Sequence, residues 1–312
     1  MNSKIYRLLA EEGVDDDIVE GAHAFAKSND VDPRFSDRIP EPEYFYYGRE
    51  VWEKALAVLL AGKNLLLTGP KATGKNVLAE NLAEALGRPV WNVSFHINVD
   101  AAYLIGVDTY DGTRVTFRPG PVWMAAKNGG MCVLDEINMA KNEALAVMHS
   151  VLDFRFEIDV PGYSMIKAAP ASRYVATMNY GYAGTRELNE ALCSRFAVLD
   201  MPLIEESDLV KLISRKFPTI KVAMRDQLIR LFYELQKKAE NAEISERAVD
   251  LRGILDAIGL VSQGLTTGQA LEMCVTGKTF DRYEQQLIRD TVAARIPQDI
   301  KSAEMLIGRA HV

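Results

Sequence analysis

The chain has 312 residues, 48% hydrophobic and 25% charged, which is typical of a globular protein with ample material for a hydrophobic core. A net charge of −7 argues against nucleic acid as the main partner. Apolar runs are too short to span a bilayer, and the N-terminus lacks the apolar centre of a signal peptide, so we expect a cytoplasmic protein without a membrane segment. The three scattered cysteines offer neither a disulfide framework nor a CxxC metal site.

Residues 1–40 are expected to form an N-terminal helical extension and a connector. Apolar residues at helical spacing predict one or two short helices before residue 32. The following stretch, DPRFSDRIPEPEY, contains three prolines and is expected to be extended.

Residues 41–204 show the pattern of a nucleotide-binding α/β core. A helix (REVWEKALAVLLAG), a strand (NLLLT), a helix (KNVLAENLAEALG) and a strand (PVWNVSF) follow one another. This alternation predicts a parallel sheet with helices on both faces. MCVLD, RYVATMN and FAVLDM are expected to complete the sheet, and turn signals at Asp111-Gly112 and Pro161-Gly162 predict two hairpins.

Residues 205–312 are helical in pattern throughout, from ESDLVKLISRKF to FDRYEQQLIRDTVAARI. The fold class expected is therefore α/β, a three-layer α/β/α core with a parallel sheet, followed by a smaller all-helical lid domain.

A phosphate-binding loop is predicted between the first strand and the second helix. The pattern G-x-x-x-x-G-K is met by Gly69, Pro70, Lys71, Ala72, Thr73, Gly74 and Lys75, with Asn76 and Val77 continuing into the helix. Glycines let backbone N–H groups point at phosphate oxygens, and the helix adds the positive end of its dipole. Lys75 should reach the β- and γ-phosphates as a point charge.

Asn76 departs from the usual loop, which has Ser or Thr at this position to place a hydroxyl on Mg²⁺. An amide oxygen can also coordinate this cation, but Asn is longer than Ser, and Mg²⁺ demands near-ideal octahedral geometry. Weaker metal binding or slow hydrolysis is the alternative that this residue leaves open.

Polar residues end two further strands. Asp135 and Glu136 follow an apolar strand, where Asp135 would hold Mg²⁺ together with Asn76, and Glu136 would orient or deprotonate the attacking water. Asn179 follows RYVATM and could position the same water, although a turn-starting Asn is the alternative. Further on, Arg186 and Arg195 are candidates to stabilise charge on a transferring phosphoryl group, with surface salt-bridging as the alternative for both.

The ordered motifs resemble those of the AAA+ ATPases of the MoxR type, in the branch that contains the CbbQ and NorQ activators and the gas-vesicle protein GvpN. The resemblance covers roughly residues 44–265 and rests on the phosphate loop, DGTRVTFRPGPVWMAA, LDEINMA, ATMN, GTRELNEALCSRF and ISERAVDLR.

This resemblance implies ATP and Mg²⁺ bound at the subunit interfaces of a homo-oligomer, a six-membered ring. It assigns Lys75 to Walker A, Asp135 and Glu136 to Walker B, and Asn179 to sensor 1. It also makes Arg195 an arginine finger offered to the neighbouring subunit. Sensor 2 would be Arg247, with Arg252 as second choice, and Tyr47 and Gly48 would pack the adenine.

The family further implies work on a client protein, by remodelling, reactivation or metal insertion, often with a partner that carries a von Willebrand factor A domain. The hairpin at Asp111-Gly112 and the preceding Ala102, Tyr103 and Leu104 would face a central pore or the substrate, with an ordinary hairpin as the alternative. A different class of function also stays open, namely a nucleotide-binding switch or scaffold subunit with little turnover.

Overall fold

The computed structural model describes residues 4–110, 112–160, 165–179, 188–246 and 249–307. The chain divides into two compact units, Met1–Pro202 and Leu203–Val312.

The first unit contains nine strands in the described residues. They are β1 (Asn64–Thr68), β2 (Val90–Ser94), β3 (Gly106–Tyr110), β4 (Val115–Pro119), β5 (Met131–Asp135), β6 (Glu157–Ile158), β7 (Ile166–Lys167), β8 (Arg173–Met178) and β9 (Phe196–Asp200). Its helices are α1 (Lys4–Glu11), α2 (Asp16–Ser28), α3 (Arg49–Leu60), α4 (Lys75–Ala85), α5 (Ala101–Ile105), α6 (Pro121–Lys127), α7 (Asn142–Leu145), α8 (His149–Leu152) and α9 (Glu190–Cys193).

Five strands form the central sheet, in the order β2-β5-β8-β1-β9, and every neighbouring pair is parallel. All five residues of β1 are buried, because helices cover both faces of a parallel sheet. The carboxyl ends lie side by side, since Thr68 is in register with Met178 and with Asp200, and Ser94 with Asp135. This order confirms the predicted α/β class and brings the carboxyl ends of the three motif-bearing strands, β1, β5 and β8, to one edge.

Both predicted hairpins are present outside the sheet. β3 pairs with β4, and β6 with β7, each antiparallel. Asp111 and the 161–164 turn lie outside the described residues.

The proline-rich connector differs from the extended prediction. Residues Pro33–Arg38 form a 3-10 helix, because Pro33 has the fixed φ that a first helical position requires and the Asp32 side chain accepts the N–H of Arg34. Arg38 then donates from Nη1 to the carbonyl of Val90 at 3.1 Å, which attaches the connector to β2.

The second unit is helical, as predicted. Its helices are α10 (Glu206–Lys216), α11 (Val222–Glu240), α12 (Leu251–Ser262), α13 (Thr267–Cys274), α14 (Arg282–Arg295) and α15 (Ser302–Met305). α12 begins at Leu251, because the Asp250 side chain accepts the N–H of Arg252 and caps the helix there. No helix in the described part of the chain combines the length and apolar character that crossing a membrane requires.

Candidate functional site: a phosphate-binding loop and the carboxyl edge of the sheet

The loop that connects β1 to α4 has the backbone of an anion-binding turn. Gly69, Ala72 and Gly74 have positive φ angles of 142°, 63° and 81°. A Cβ at Gly69 would lie 2.9 Å from the carbonyl oxygen of Met201, so this position also requires glycine for lack of space. Lys71 and Ala72 lie on the exposed side of the loop.

Lys75 is folded back into this loop and is only 7% exposed. Its Nζ donates to the carbonyls of Gly69 and Pro70 at 2.9 and 2.7 Å, and to Oγ1 of Thr73 at 3.2 Å. These bonds hold the ammonium group inside the curl of the loop, where a phosphate group would be cradled.

Three carboxylates act on Lys75 across the sheet edge. Burial lowers the pKa of Lys75 to about 8, and the negative charges of Asp135, Asp200 and Glu136 partly oppose that shift. Asp200 is itself held at the end of β9, where its Oδ1 accepts from Oγ1 of Thr68 at 3.0 Å.

Asp135 accepts hydrogen bonds on both carboxylate oxygens. Asn76 donates from Nδ2 to its Oδ2 at 3.1 Å, and Thr177 donates from Oγ1 to its Oδ1 at 2.5 Å. Thr177 is 1% exposed and belongs to β8, directly beside β5 in the sheet. The structure thus brings the two predicted metal-site residues, Asn76 and Asp135, together and adds a buried hydroxyl to them.

Glu136 stands next to Asp135 with a left-handed backbone, at φ 54°. Its N–H donates to Oγ1 of Thr177 at 3.1 Å, and its Oε1 accepts from Nδ2 of Asn179 at 3.3 Å. The carbonyl of Asn179 accepts in turn from Nδ2 of the buried Asn138 at 2.9 Å. Glu136 and Asn179 therefore form a hydrogen-bonded pair, as the shared sheet edge predicts.

These residues offer oxygen ligands of the kind that Mg²⁺ prefers, namely the Asp135 carboxylate and the Asn76 amide. Among the described residues, no group of three or more His, Cys, Asp and Glu side chains is arranged to hold a metal ion by itself. The donor set fits an ion that is bound through one or two protein oxygens and completed by substrate phosphates and water.

A tyrosine ring lies beside the loop, one residue before the predicted base-side residues Tyr47 and Gly48. Tyr47 is buried, and Gly48, with a φ of 128°, directly precedes α3. The ring of Tyr46, rather than that of Tyr47, borders Gly74, because a Cβ built there would lie 3.1 Å from Tyr46 Cδ2. Val77 lies in the first turn of α4.

Arg195 lies at the amino ends of the strands, opposite the carboxyl ends that carry the candidate site. It immediately precedes β9, its carbonyl accepts from Nδ2 of Asn64 at the start of β1, and its guanidinium donates to the carbonyls of His149 and Ala191. Since a strand rises about 3.3 Å per residue, the five residues of β9 separate Arg195 from the carboxyl edge by about 16 Å. Arg195 is therefore not part of the constellation around Lys75 of its own chain.

Of the other predicted arginines, only Arg252 lies in the described residues. Arg186 and Arg247 lie outside the described residues. Arg252 is an exposed residue near the start of α12 in the second unit. Ahead of the first hairpin, Ala102 is exposed and Tyr103 is 52% exposed, whereas Leu104 is fully buried and faces the core.

Sequence reasoning missed Thr177, Thr68, Asp200 and Asn138. Thr177 and Thr68 carried a usable signal, because a polar side chain in an otherwise apolar, buried strand needs a hydrogen-bond partner. Asp200 ends a strand as Asp135 does, and the parallel register would have placed it beside the loop.

Comparison with known proteins is consistent with this geometry. Residues 64–196 match the AAA domain of the dynein-related subfamily. The chain is 32% identical to the uncharacterized protein SH1500 of Staphylococcus haemolyticus over 256 residues, which are 80% of this chain and 97% of the relative. It is also 32% identical to the uncharacterized protein YojN of Bacillus subtilis over 269 residues, 85% of this chain and 88% of the relative.

One solved structure, from Cytophaga hutchinsonii, aligns with this chain over 93% of this chain and 90% of the other, with a TM-score of 0.47 and 14% identity. That likeness is too weak to bear on fold or function.

Proposed function

The chain belongs to the AAA-domain family, in the dynein-related subfamily, and on that premise we propose that it is a Mg²⁺-dependent ATPase. The observation that carries this proposal is the meeting of Lys75, Asp135, Glu136 and Asn179 at one edge of the sheet, around a loop with an anion-binding backbone. A turn with a purely structural role does not require a buried ammonium group, two neighbouring acids that each accept hydrogen bonds, and positive φ angles at the same place.

Each side chain has a distinct task in this reaction. Lys75 binds β- and γ-phosphate oxygens once it leaves the loop carbonyls, while Asp135 and Asn76 hold Mg²⁺. When bound, Mg²⁺ neutralises charge on the phosphate oxygens. Glu136 orients and deprotonates the attacking water, and the Asn179 amide fixes the direction of the Glu136 carboxylate.

The position of Arg195 supports a site shared between copies of the chain. An arginine about 16 Å from the carboxyl edge of its own sheet reaches a phosphate only in another subunit. We therefore propose a homo-oligomeric ring, of six subunits as in the MoxR-type ATPases, with Arg195 acting in trans and Arg247 or Arg252 as sensor 2. Hydrolysis would move the core residues 41–204 and the lid residues 205–312 to act on a client protein, including metal insertion, with a von Willebrand factor A domain protein as the expected partner.

A nucleotide-binding switch is the second candidate, and one contact favours it. The Asn76 amide nitrogen donates to Asp135, so the residue that normally offers an oxygen to Mg²⁺ is engaged with the acid beside it. If that contact persists with nucleotide bound, binding would occur with little turnover.

Steady-state ATP hydrolysis tests both candidates. The purified chain is assayed with and without Mg²⁺ over a range of protein concentrations, beside Lys75→Ala as a control for nucleotide binding. A Mg²⁺-dependent specific rate that rises with protein concentration is expected for an interface-active ATPase. Tight ATP binding without turnover would favour the switch, and tight ATP binding by Lys75→Ala would refute the assigned loop.

A further inference from the structure

The N-terminal helices pack closely against the two helices that begin at the candidate site. A Cβ built at Gly21 of α2 would lie 3.2 Å from Leu60, and one at Gly87 would lie 3.1 Å from the Cβ of Ala26. Tyr6 of α1 donates from its hydroxyl to the carbonyl of Ala85, the last residue of α4, at 2.7 Å. The N-terminal helices α1 and α2 are therefore packed as part of the first unit.

One carboxylate from this segment reaches the start of α3. Oε2 of Glu12 accepts the backbone N–H of Gly48 at 2.9 Å, although the two residues are 36 positions apart. Gly48 has no side chain with which to cap α3, and it has a φ of 128°. Glu12 thus supplies an acceptor and a negative charge where the N-terminal end of a helix favours both.

Residues 44–48 are held in place by two other elements as well. The amide of Asn81, a fully buried residue of α4, accepts the N–H of Tyr46 at 2.8 Å and donates to the carbonyl of Tyr44 at 2.9 Å. The indole of Trp52 in α3 donates to the carbonyl of Tyr46 at 3.0 Å. Glu12, in the turn after α1, together with Asn81 of α4 and Trp52 of α3, therefore fixes this backbone from three separate parts of the chain.

The side chain that this backbone presents is the ring of Tyr46. It lies between two glycines, because a Cβ at Gly48 would be 3.3 Å from its Cε1 and one at Gly74 would be 3.1 Å from its Cδ2. Gly74 directly precedes Lys75, so the ring borders the phosphate loop. A nucleotide whose phosphates lie in this loop has its base beside the loop, where an aromatic surface offers stacking area.

We infer that the turn after the N-terminal helix α1 is part of the nucleotide site, in which Glu12 is a positioning residue that sets the backbone of residues 44–48 for the base. This inference rests on the proposed nucleotide binding. The carboxylate acts through the backbone at Gly48, so its contribution concerns the base side of the ligand and leaves phosphate recognition by Lys75 unchanged.

The test compares two probes on three variants of the full chain. Dissociation constants for ATP and for inorganic tripolyphosphate, which has no base, are measured by calorimetry for Glu12→Ala, Glu12→Gln and the control Glu53→Ala. Glu53→Ala is a matched control, because Oε1 of Glu53 accepts the N–H of Asp15 at 3.1 Å and accepts from Nε of Arg49 at 2.7 Å, so its loss also removes a contact between the N-terminal segment and α3.

Glu12→Ala is expected to weaken ATP binding roughly fivefold, the scale of one lost hydrogen bond, and to leave tripolyphosphate binding unchanged. Glu12→Gln keeps an acceptor and should recover most of the ATP affinity, and Glu53→Ala should bind both probes as the unaltered chain does.

Several results would overturn the inference. Unchanged ATP affinity in Glu12→Ala would do so, as would equal losses for both probes or the same ATP defect in Glu53→Ala, both of which indicate a general structural role. If the unaltered chain bound neither probe, the proposed function would fall first, and this inference with it.

Discussion

Thr177 is the residue whose replacement should separate chemistry from stability most clearly. Its hydroxyl donates to Oδ1 of Asp135 and accepts the N–H of Glu136, so one buried atom orients both acids. Valine has nearly the shape of threonine, and Thr177→Val removes the two hydrogen bonds without opening a cavity.

The size of the effect follows from those two bonds. A hydrogen bond to a charged group contributes about 1.5–3 kcal/mol, and an N–H group left without a partner costs about 1–3 kcal/mol when buried. We expect the free energy of unfolding to fall by about 2 kcal/mol, because Asp135 and Glu136 are only partly buried. Removing a residue that orients a metal ligand typically costs about 10- to 100-fold in metal affinity or activity, and we expect Mg²⁺-dependent turnover to fall by that factor.

Thr177→Ser is the matched variant. It keeps the hydroxyl and loses one buried methyl group, so its unfolding free energy should fall by about 1 kcal/mol while turnover stays near that of the unaltered chain. The assay is ATP hydrolysis against Mg²⁺ concentration, with kcat and KM separated, at a temperature where urea titration shows all three proteins folded. Turnover of Thr177→Val within about threefold of the unaltered chain would refute the positioning role, and so would equal losses in the Ser and Val variants.

Four further perturbations test the other assignments. Glu136→Gln should retain ATP binding and lose at least about 100-fold in turnover, as expected for removal of a general base, and undiminished turnover would contradict its role. Asn76→Thr should lower the Mg²⁺ concentration needed for half-maximal activity, because a hydroxyl then replaces the amide that bonds Asp135, and an unchanged Mg²⁺ titration would show that the amide is an adequate ligand. Mixing Arg195→Ala subunits with Glu136→Gln subunits should restore part of the activity, since intact sites form at mixed interfaces, and no recovery at any ratio would exclude action in trans. Because the pKa of Lys75 is about 8, raising the pH from 7.5 to 9.5 should weaken ATP binding by about an order of magnitude. Above pH 8 the amine must regain a proton to pair with phosphate, so calorimetry in two buffers of different ionisation enthalpy should detect proton uptake, and a pH-independent affinity without uptake would refute this coupling.

The sheet and the polar residues at its carboxyl edge could be predicted because both depend on short, local sequence patterns. Short apolar runs end in polar residues at Asp135 and Asn179, and the glycine spacing around Lys75 marks the loop. Parallel strands bring such ends together whatever the details of packing. The prediction of an extended connector is wrong for Pro33–Arg38. Proline interrupts a helix when it lies in the interior, but Pro33 directly follows the capping residue Asp32 and therefore begins a 3-10 helix.

Side chains that act over long sequence separations could not be placed in this way. Thr177 bonds Asp135 across 42 positions, Asn81 bonds Tyr44 across 37, and Glu12 bonds Gly48 across 36. What a sequence does show is that a polar residue in a buried setting must find a partner, which the packing of neighbouring elements then selects.

The carboxyl and amino ends of the strands in the central sheet differ in how the side chains of the proposed site are bonded. At the carboxyl edge, the described hydrogen bonds that join Asn76 to Asp135 and Asn179 to Glu136 lie within the unit Met1–Pro202. At the amino edge, the Arg195 guanidinium donates to the backbone carbonyls of His149 and Ala191. The hydrogen bond from Arg155 lowers the pKa of the nearby Asp153 carboxyl, and the positive charge of Arg195 helps to lower it. In the proposed ring this guanidinium would act on the triphosphate of a neighbouring copy, so mixing Arg195→Ala with Glu136→Gln subunits tests a contact that one copy of the chain does not contain.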